Sequence, residues 1–149
     1  MKQQMEWLEP IYKQLESSIQ EHQTTHAFLI KGQTGVGKNN LAMHLANGFL
    51  GEEMIKLTNN ERDERIIPDC KLISPEENKE TISIDQIRSL KSFLLLTSLK
   101  GHGKVGIINP ADSMTYPAVN SLLKILEEPP EDTLLILLTD SINKLPNTI

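Results

Sequence analysis

The sequence has little of what would mark a disulfide-stabilised, membrane-spanning or secreted protein. Cys70 is the one cysteine among 149 residues, which excludes an internal disulfide and a cysteine-rich zinc site. No apolar run approaches the roughly 18 residues that a membrane-spanning helix needs. The first ten residues, MKQQMEWLEP, contain no apolar segment of the kind found in signal peptides. We therefore expect a cytoplasmic location.

Basic residues are also few. The chain has 15 Lys and Arg against 20 Asp and Glu, a formal net charge of -5. Proteins that bind nucleic acid on their own usually present a basic face, so the balance argues against a free-standing nucleic-acid binder. It leaves open a DNA contact made within a larger assembly. The length suits one domain with a single core.

Short apolar runs alternate with segments of helical spacing, which indicates an α/β fold with a parallel sheet flanked by helices. The predicted strands are His26–Ile30, Cys70–Ile73, Val105–Ile108 and Leu134–Leu138. Apolar residues at helical spacing lie in Trp7 to about Gln23, and at Leu41, Leu45 and Phe49, at Ile87, Leu90 and Leu94, and at Val119, Leu122, Leu123 and Leu126. Ser83 and Gln86 form a capping-box pattern before one of these helices. The polar stretch Gly51–Asp69 is predicted to be an irregular connection.

The segment GQTGVGKNN, Gly32–Asn40, nearly matches a phosphate-binding P-loop. That motif reads G-x-x-x-x-G-K followed by Ser or Thr, and it lies between a strand and a helix, as it does here. Gly32, Gly37 and Lys38 fit the pattern, but the position of the hydroxyl that binds Mg²⁺ holds Asn39. A neutral amide is a bulkier and poorer Mg²⁺ ligand. The segment predicts a P-loop fold with weak nucleotide binding, or a retained structural turn.

The second expected metal ligand is altered as well. In a working P-loop enzyme an aspartate at the end of a neighbouring strand holds the metal. The candidate strand here ends in Asn109 and Pro110, neither of which carries a negative charge. Asp112 lies farther along and is predicted to be a cap or turn residue. Two altered positions at one metal site make ATP hydrolysis by this chain improbable.

The run NSLLKILEEPP, Asn120–Pro130, resembles the NALLKTLEEPP segment of bacterial clamp-loader subunits of the AAA+ family. The segments THAFLI before the P-loop, SIDQIR before a helix and LPNTI at residues 145–149 are also similar to that family and occur in the same order. The opening Trp7-Leu-Glu-Pro10 and the altered ATP-site residues are similar to the delta-prime type, rather than to the ATP-hydrolysing tau/gamma motor subunits.

The resemblance implies a P-loop NTPase (AAA+) fold and a role in DNA replication within the DNA polymerase III holoenzyme. The implied role is that of a non-catalytic subunit of the complex that loads the sliding clamp onto primed DNA. Its implied partners are the tau/gamma and delta subunits and, indirectly, the clamp and primer–template DNA, with no membrane. Residues 1–149 would be the N-terminal AAA+ domain, incomplete at its C-terminus and ending before a Ser-Arg-Cys motif, a lid and a collar. Many relatives carry a four-cysteine zinc module where this chain has Gly51–Asp69, so no zinc is expected here.

Two other functions stay open. The chain could be an active ATPase, similar to the tau/gamma motor, which would need Mg²⁺ despite Asn39 and Asn109. A small-molecule kinase would need an arginine clamp, which its three arginines do not suggest. The resemblance also implies that Thr139, at the end of the fourth strand, is in the family's sensor position, and we expect it to be structural. No cofactor is expected, and ATP with magnesium would bind only weakly. The candidate nucleotide-binding residues are Gly32, Thr34, Gly35, Val36, Gly37, Lys38, Asn39, Asn109 and Thr139.

Overall fold

The computed structural model describes residues 9–20, 26–33, 35–50, 69–98, 103–141 and 145. In chain order its elements are α1 (Glu9–Gln20), β1 (Ala27–Lys31), α2 (Lys38–Leu50), β2 (Cys70–Ile73), α3 (Ile84–Leu95), β3 (Lys104–Ile108), a short 3-10 turn (Ala111–Ser113), α4 (Tyr116–Glu127) and β4 (Thr133–Thr139). None of the helices in these ranges is long and apolar enough to cross a membrane.

The four strands form one parallel sheet in the order β1-β4-β3-β2. The strand β4 lies in the interior of the sheet, and all seven of its residues are buried, as expected for the most apolar strand of the sequence. Because all strands run the same way, their carboxyl ends meet at one edge of the sheet. The loops that follow β1, β3 and β4 therefore come together at that edge, where α/β proteins bind ligands.

The core has two halves, one on each face of the sheet. On one face α2 packs against alternate residues of β3 and β4, including Val105, Leu134 and Ile136. On the other face α3 and α4 pack against Ile108 and Leu135, among others. Consecutive residues of β4 thus enter opposite halves of the core, which is the two-residue period of a strand covered on both sides.

The predicted parallel sheet flanked by helices is confirmed, with small shifts at the element ends. The strand predicted at His26–Ile30 begins and ends one residue later, and the third strand begins one residue earlier, at Lys104. The capping box is present: Ser83 Oγ accepts from the backbone N–H of Gln86, whose side chain accepts from the Ser83 N–H. Most of the connection predicted at Gly51–Asp69, and the ends of the helix predicted from Trp7, lie outside the described residues.

Two details of burial could not be read from the sequence pattern. Leu123 is half-buried, because the helix face that meets the sheet is centred on Leu122 and Ile125, which are 0% and 1% exposed. Asp69, assigned to an irregular polar connection, is 1% exposed and forms an ion pair with Lys104, which is 4% exposed. Polarity alone did not reveal this pair, because each charge is compensated by a residue far away in the sequence.

Candidate nucleotide site

The loop between β1 and α2 has the backbone geometry of a phosphate-binding loop. Gly35 and Gly37 adopt φ angles of 88° and 94°, which residues with a Cβ rarely reach. The first turn of α2 begins at Lys38, and the Leu41 N–H donates to the Gly37 carbonyl at 3.1 Å. Such a loop directs backbone N–H groups and the positive end of a helix toward the same space, where a phosphate group is favoured.

The Lys38 ammonium is bound by oxygens of the chain itself. It donates to the backbone carbonyls of Gly32 and Gln33, the latter at 3.1 Å, and it forms an ion pair with the Asp140 carboxylate. The side chain of Lys38 is 10% exposed, whereas that of Asp140 is 53% exposed. A lysine ammonium has three protons to donate, and these contacts use one for each oxygen.

The two altered metal positions contact each other. The Asn109 side chain donates from Nδ2 to Asn39 Oδ1 at 3.0 Å. Asn39 lies in the first turn of α2, and Asn109 follows β3, where its backbone N–H donates to the Ile73 carbonyl at 3.0 Å. A direct amide–amide hydrogen bond therefore joins α2 to the end of β3. A Mg²⁺ ion demands octahedral coordination by hard oxygens, usually including a carboxylate, so this neutral pair does not fit the metal.

Thr139 forms further side-chain hydrogen bonds at the same edge of the sheet. Its hydroxyl contacts Asp112 Oδ1 at 2.8 Å, and it accepts from the Ser141 backbone N–H at 3.2 Å. Thr139 itself is 1% exposed. Asp112 belongs to the short 3-10 turn, as predicted from the sequence, but its carboxylate points at Thr139 and fixes the turn to the end of β4.

The sequence-predicted site residues are assembled at one edge of the sheet as far as they are described. Thr34 lies outside the described residues. Among the others, the loop glycines and Lys38 follow β1, Asn109 follows β3 and Thr139 ends β4. The sequence reasoning did not predict a role for Asp140. Its position one residue beyond β4, beside the strand that feeds the loop, was the available signal, because the carboxyl ends of neighbouring parallel strands lie side by side.

The model of the family described as "DNA polymerase III, delta subunit" matches residues 7–149. A DNA polymerase III subunit delta' from Bacillus subtilis is 37% identical to the chain, over 98% of this chain and 46% of the relative. The chain belongs to the delta-prime family of DNA polymerase III subunits. The family that the sequence motifs suggested is thus confirmed.

Other relatives agree with this assignment. The Pseudomonas aeruginosa subunit delta' is 33% identical over 96% of this chain and 45% of the relative. The tau subunit of Escherichia coli is 33% identical over 83% of this chain but only 20% of its own length. Among solved structures, a gamma subunit-related protein from Thermotoga maritima has a TM-score of 0.73 at 28% identity, over 93% of this chain and 42% of that one. The delta-prime family and the gamma and tau subunits therefore share this AAA+ fold.

The chain spans slightly less than half the length of the delta-prime relatives that it matches. Of residues 51–69, where the sequence resemblance led us to expect no zinc, only Asp69 is described. The described residues contain no group of three or more His, Cys, Asp or Glu side chains that could hold a metal ion.

Proposed function

We propose that this chain acts as the P-loop domain of a delta-prime subunit in the complex that loads the sliding clamp onto primed DNA during replication. In this role it binds neighbouring subunits and does not hydrolyse ATP. Its partners are the gamma or tau subunits and the delta subunit of the same complex, and the clamp and primer–template DNA are contacted through them. Its location is the cytoplasm, where replication takes place in bacteria.

The hydrogen bond between Asn39 and Asn109 carries the non-catalytic part of the proposal. In a P-loop NTPase these positions hold a hydroxyl and a carboxylate that bind Mg²⁺, and the metal neutralises the charge that develops on the phosphates. Here the two amide side chains form a hydrogen bond with each other at 3.0 Å, and neither carries a negative charge. This chain's residues therefore keep the shape of the nucleotide site without its metal ligands.

An active ATPase is the alternative, and the loop backbone is the observation in its favour. The positive φ angles of Gly35 and Gly37 keep the phosphate-binding turn open to an anion. A motor function would nevertheless need a metal site, and no described carboxylate replaces Asn109 as the partner of Asn39. We therefore favour the subunit that assembles without hydrolysis.

The role in clamp loading is tested by reconstitution. The chain is mixed with purified gamma or tau and delta subunits and the sliding clamp, and loading of the clamp onto primed circular DNA is measured in the presence of ATP. We expect loading to rise when the chain is added to the other subunits, while the chain alone releases no phosphate from ATP. A complex that forms and loads equally well without it would contradict the proposed role.

The proposal that the chain does not hydrolyse ATP is tested by restoring the two side chains that bind Mg²⁺ in P-loop enzymes. Asn39→Thr combined with Asn109→Asp returns a hydroxyl and a carboxylate to the metal positions. We expect this double variant to bind ATP more tightly in Mg²⁺ than in EDTA, and the wild-type chain to show no such difference. Asn120→Asp, at an exposed position of α4 on the opposite face of the sheet from α2, adds the same charge and serves as the control. A Mg²⁺-dependent gain in the control, or its presence in the wild-type chain, would show that these two amides do not prevent metal binding.

A further inference from the structure

The contact between Lys38 and Asp140 has no part in the proposed subunit assembly. Lys38 is the cation that a P-loop offers to phosphate groups, yet here its side chain is nine-tenths buried against oxygens of the chain. Two of those oxygens are neutral backbone carbonyls, and the third belongs to a carboxylate. The negative charge beside Lys38 is thus supplied by the protein.

The sheet fixes Asp140 at this position. The strands β1 and β4 are paired in register up to Lys31 and Thr139, and the Gly32 N–H donates to the Thr139 carbonyl at 3.1 Å. The residue after Thr139 therefore leaves the sheet directly beside the start of the loop. Thr139 is itself held by Asp112 at 2.8 Å, so the backbone that carries Asp140 is anchored from both sides of the strand end.

A phosphate group in the loop would need the same ammonium. To reach it, Lys38 would have to release at least one of its present acceptors, since it has three protons and three oxygen partners. The carboxylate is the partner that also repels the incoming anion, because like charges at short range oppose each other. All three contacts have a charged donor, but only in the Asp140 contact is the acceptor charged as well, so this contact adds a Coulomb attraction that holds Lys38 against the protein's own oxygens.

We propose that Asp140 is an internal anion that competes with phosphate groups for Lys38 and keeps polyphosphate ligands out of the loop. This inference rests on the proposed absence of nucleotide use and deepens it. The altered metal positions remove Mg²⁺ from the site, and Asp140 reduces the affinity of the remaining loop for the phosphates themselves. Neutralising Asp140 then yields a loop that binds a polyphosphate without a metal ion.

The test is titration calorimetry with inorganic triphosphate in EDTA, comparing the wild-type chain with Asp140→Asn. Asparagine keeps the size of the side chain and removes the charge. We expect the variant to bind with a Kd at least about tenfold lower than that of the wild type, the factor that roughly 1.4 kcal/mol produces. Asp140→Ser, tested in parallel, covers the case in which the asparagine variant is unstable, and melting curves establish that each variant is folded. A parallel titration with ATP shows whether the base adds to the phosphate contacts.

Two control variants distinguish the effect of the Lys38–Asp140 contact on triphosphate binding from the effect of the chain's net charge. Asp85→Asn removes an equal charge from an 86%-exposed side chain on α3 that pairs with Arg88, and it should leave triphosphate binding at the wild-type level. In the double variant Asp140→Asn with Lys38→Ala the gain should disappear, because the cation for which the two anions compete is absent.

The inference is overturned if Asp140→Asn binds triphosphate no better than the wild type. It is also overturned if Asp85→Asn produces an equal gain, or if the gain persists without Lys38. These results are distinguishable from failure of the proposed function. Tight Mg²⁺-dependent ATP binding by the wild-type chain would refute the non-catalytic role, whereas the ratio of affinities in EDTA reports on the Asp140 contact alone.

Discussion

Replacing Lys104 by methionine should destabilise the fold strongly, because it removes a buried cation from beside the buried Asp69 carboxylate. Lys104 Nζ lies 3.5 Å from Asp69 Oδ1 and 4.1 Å from the centre of the Phe93 ring. Two unit charges at 3.5 Å attract by roughly 5 kcal/mol at an effective dielectric constant of about 20. Ser98 continues to donate to the carboxylate at 2.9 Å and offsets part of the loss.

We therefore expect Lys104→Met to lower the free energy of unfolding by about 3 to 5 kcal/mol, the range found when one partner of a buried pair is removed. In urea this corresponds to a midpoint lower by roughly 2 M at a slope of about 2 kcal/mol/M. The assay is equilibrium unfolding followed by circular dichroism. Such a loss is a large fraction of the roughly 5 to 15 kcal/mol that stabilises a small domain.

Lys71→Met provides the matched control. Lys71 lies on the edge strand β2 and donates to the neutral Ser89 hydroxyl at 2.6 Å, so its replacement removes a hydrogen bond to a neutral partner and no ion pair with that partner. We expect a change below about 1 kcal/mol there. Adding Asp69→Asn to Lys104→Met should recover part of the stability, since neither buried charge remains. Equal, small effects of the Lys104 and Lys71 variants would refute the reasoning that the buried pair is electrostatically coupled.

Two further predictions concern packing. Leu122→Ala, at a fully buried position of α4, should lower the free energy of unfolding by about 2 to 5 kcal/mol. Leu123→Ala, at the half-buried neighbouring position, should lower it clearly less. Equal losses of stability in thermal melts would show that both leucines face the core. Gly106→Ala should cost about 1 to 3 kcal/mol, because a Cβ there would lie 2.7 Å from Leu90 Cδ1 and 3.0 Å from Leu135 Cδ2; an unchanged urea midpoint would mean that α3 moves away from β3 without cost.

The sheet was predictable because its strands are short apolar runs and its helices have clear spacing. The apolar run Leu134–Leu138 predicts a buried strand, and all seven residues of β4 are indeed buried. The capping box of α3 could also be predicted from the sequence, because both of its hydrogen bonds join residues that are three positions apart. Local patterns of this kind specify elements and their order, although not the residues that meet across the sheet.

The contacts of the candidate site were less accessible to sequence reasoning. The Asn39–Asn109 and Lys38–Asp140 contacts join residues that are 70 and 102 positions apart. The P-loop motif identified Lys38 and Asn39, and the strand end identified Asn109, but no motif states that the two amides bind each other. Side-chain pairing of this kind depends on strand order and register, which bring β1 and β4 together before the loops can meet.

Calorimetric titration of the chain with ATP, with and without Mg²⁺, shows whether this loop uses a nucleotide. We expect no measurable difference between the two conditions and no tight binding in either, because Asn39 and Asn109 bind each other and Lys38 binds Asp140. Micromolar binding that requires Mg²⁺ would contradict it, since the two amides would then have to part and hold the metal.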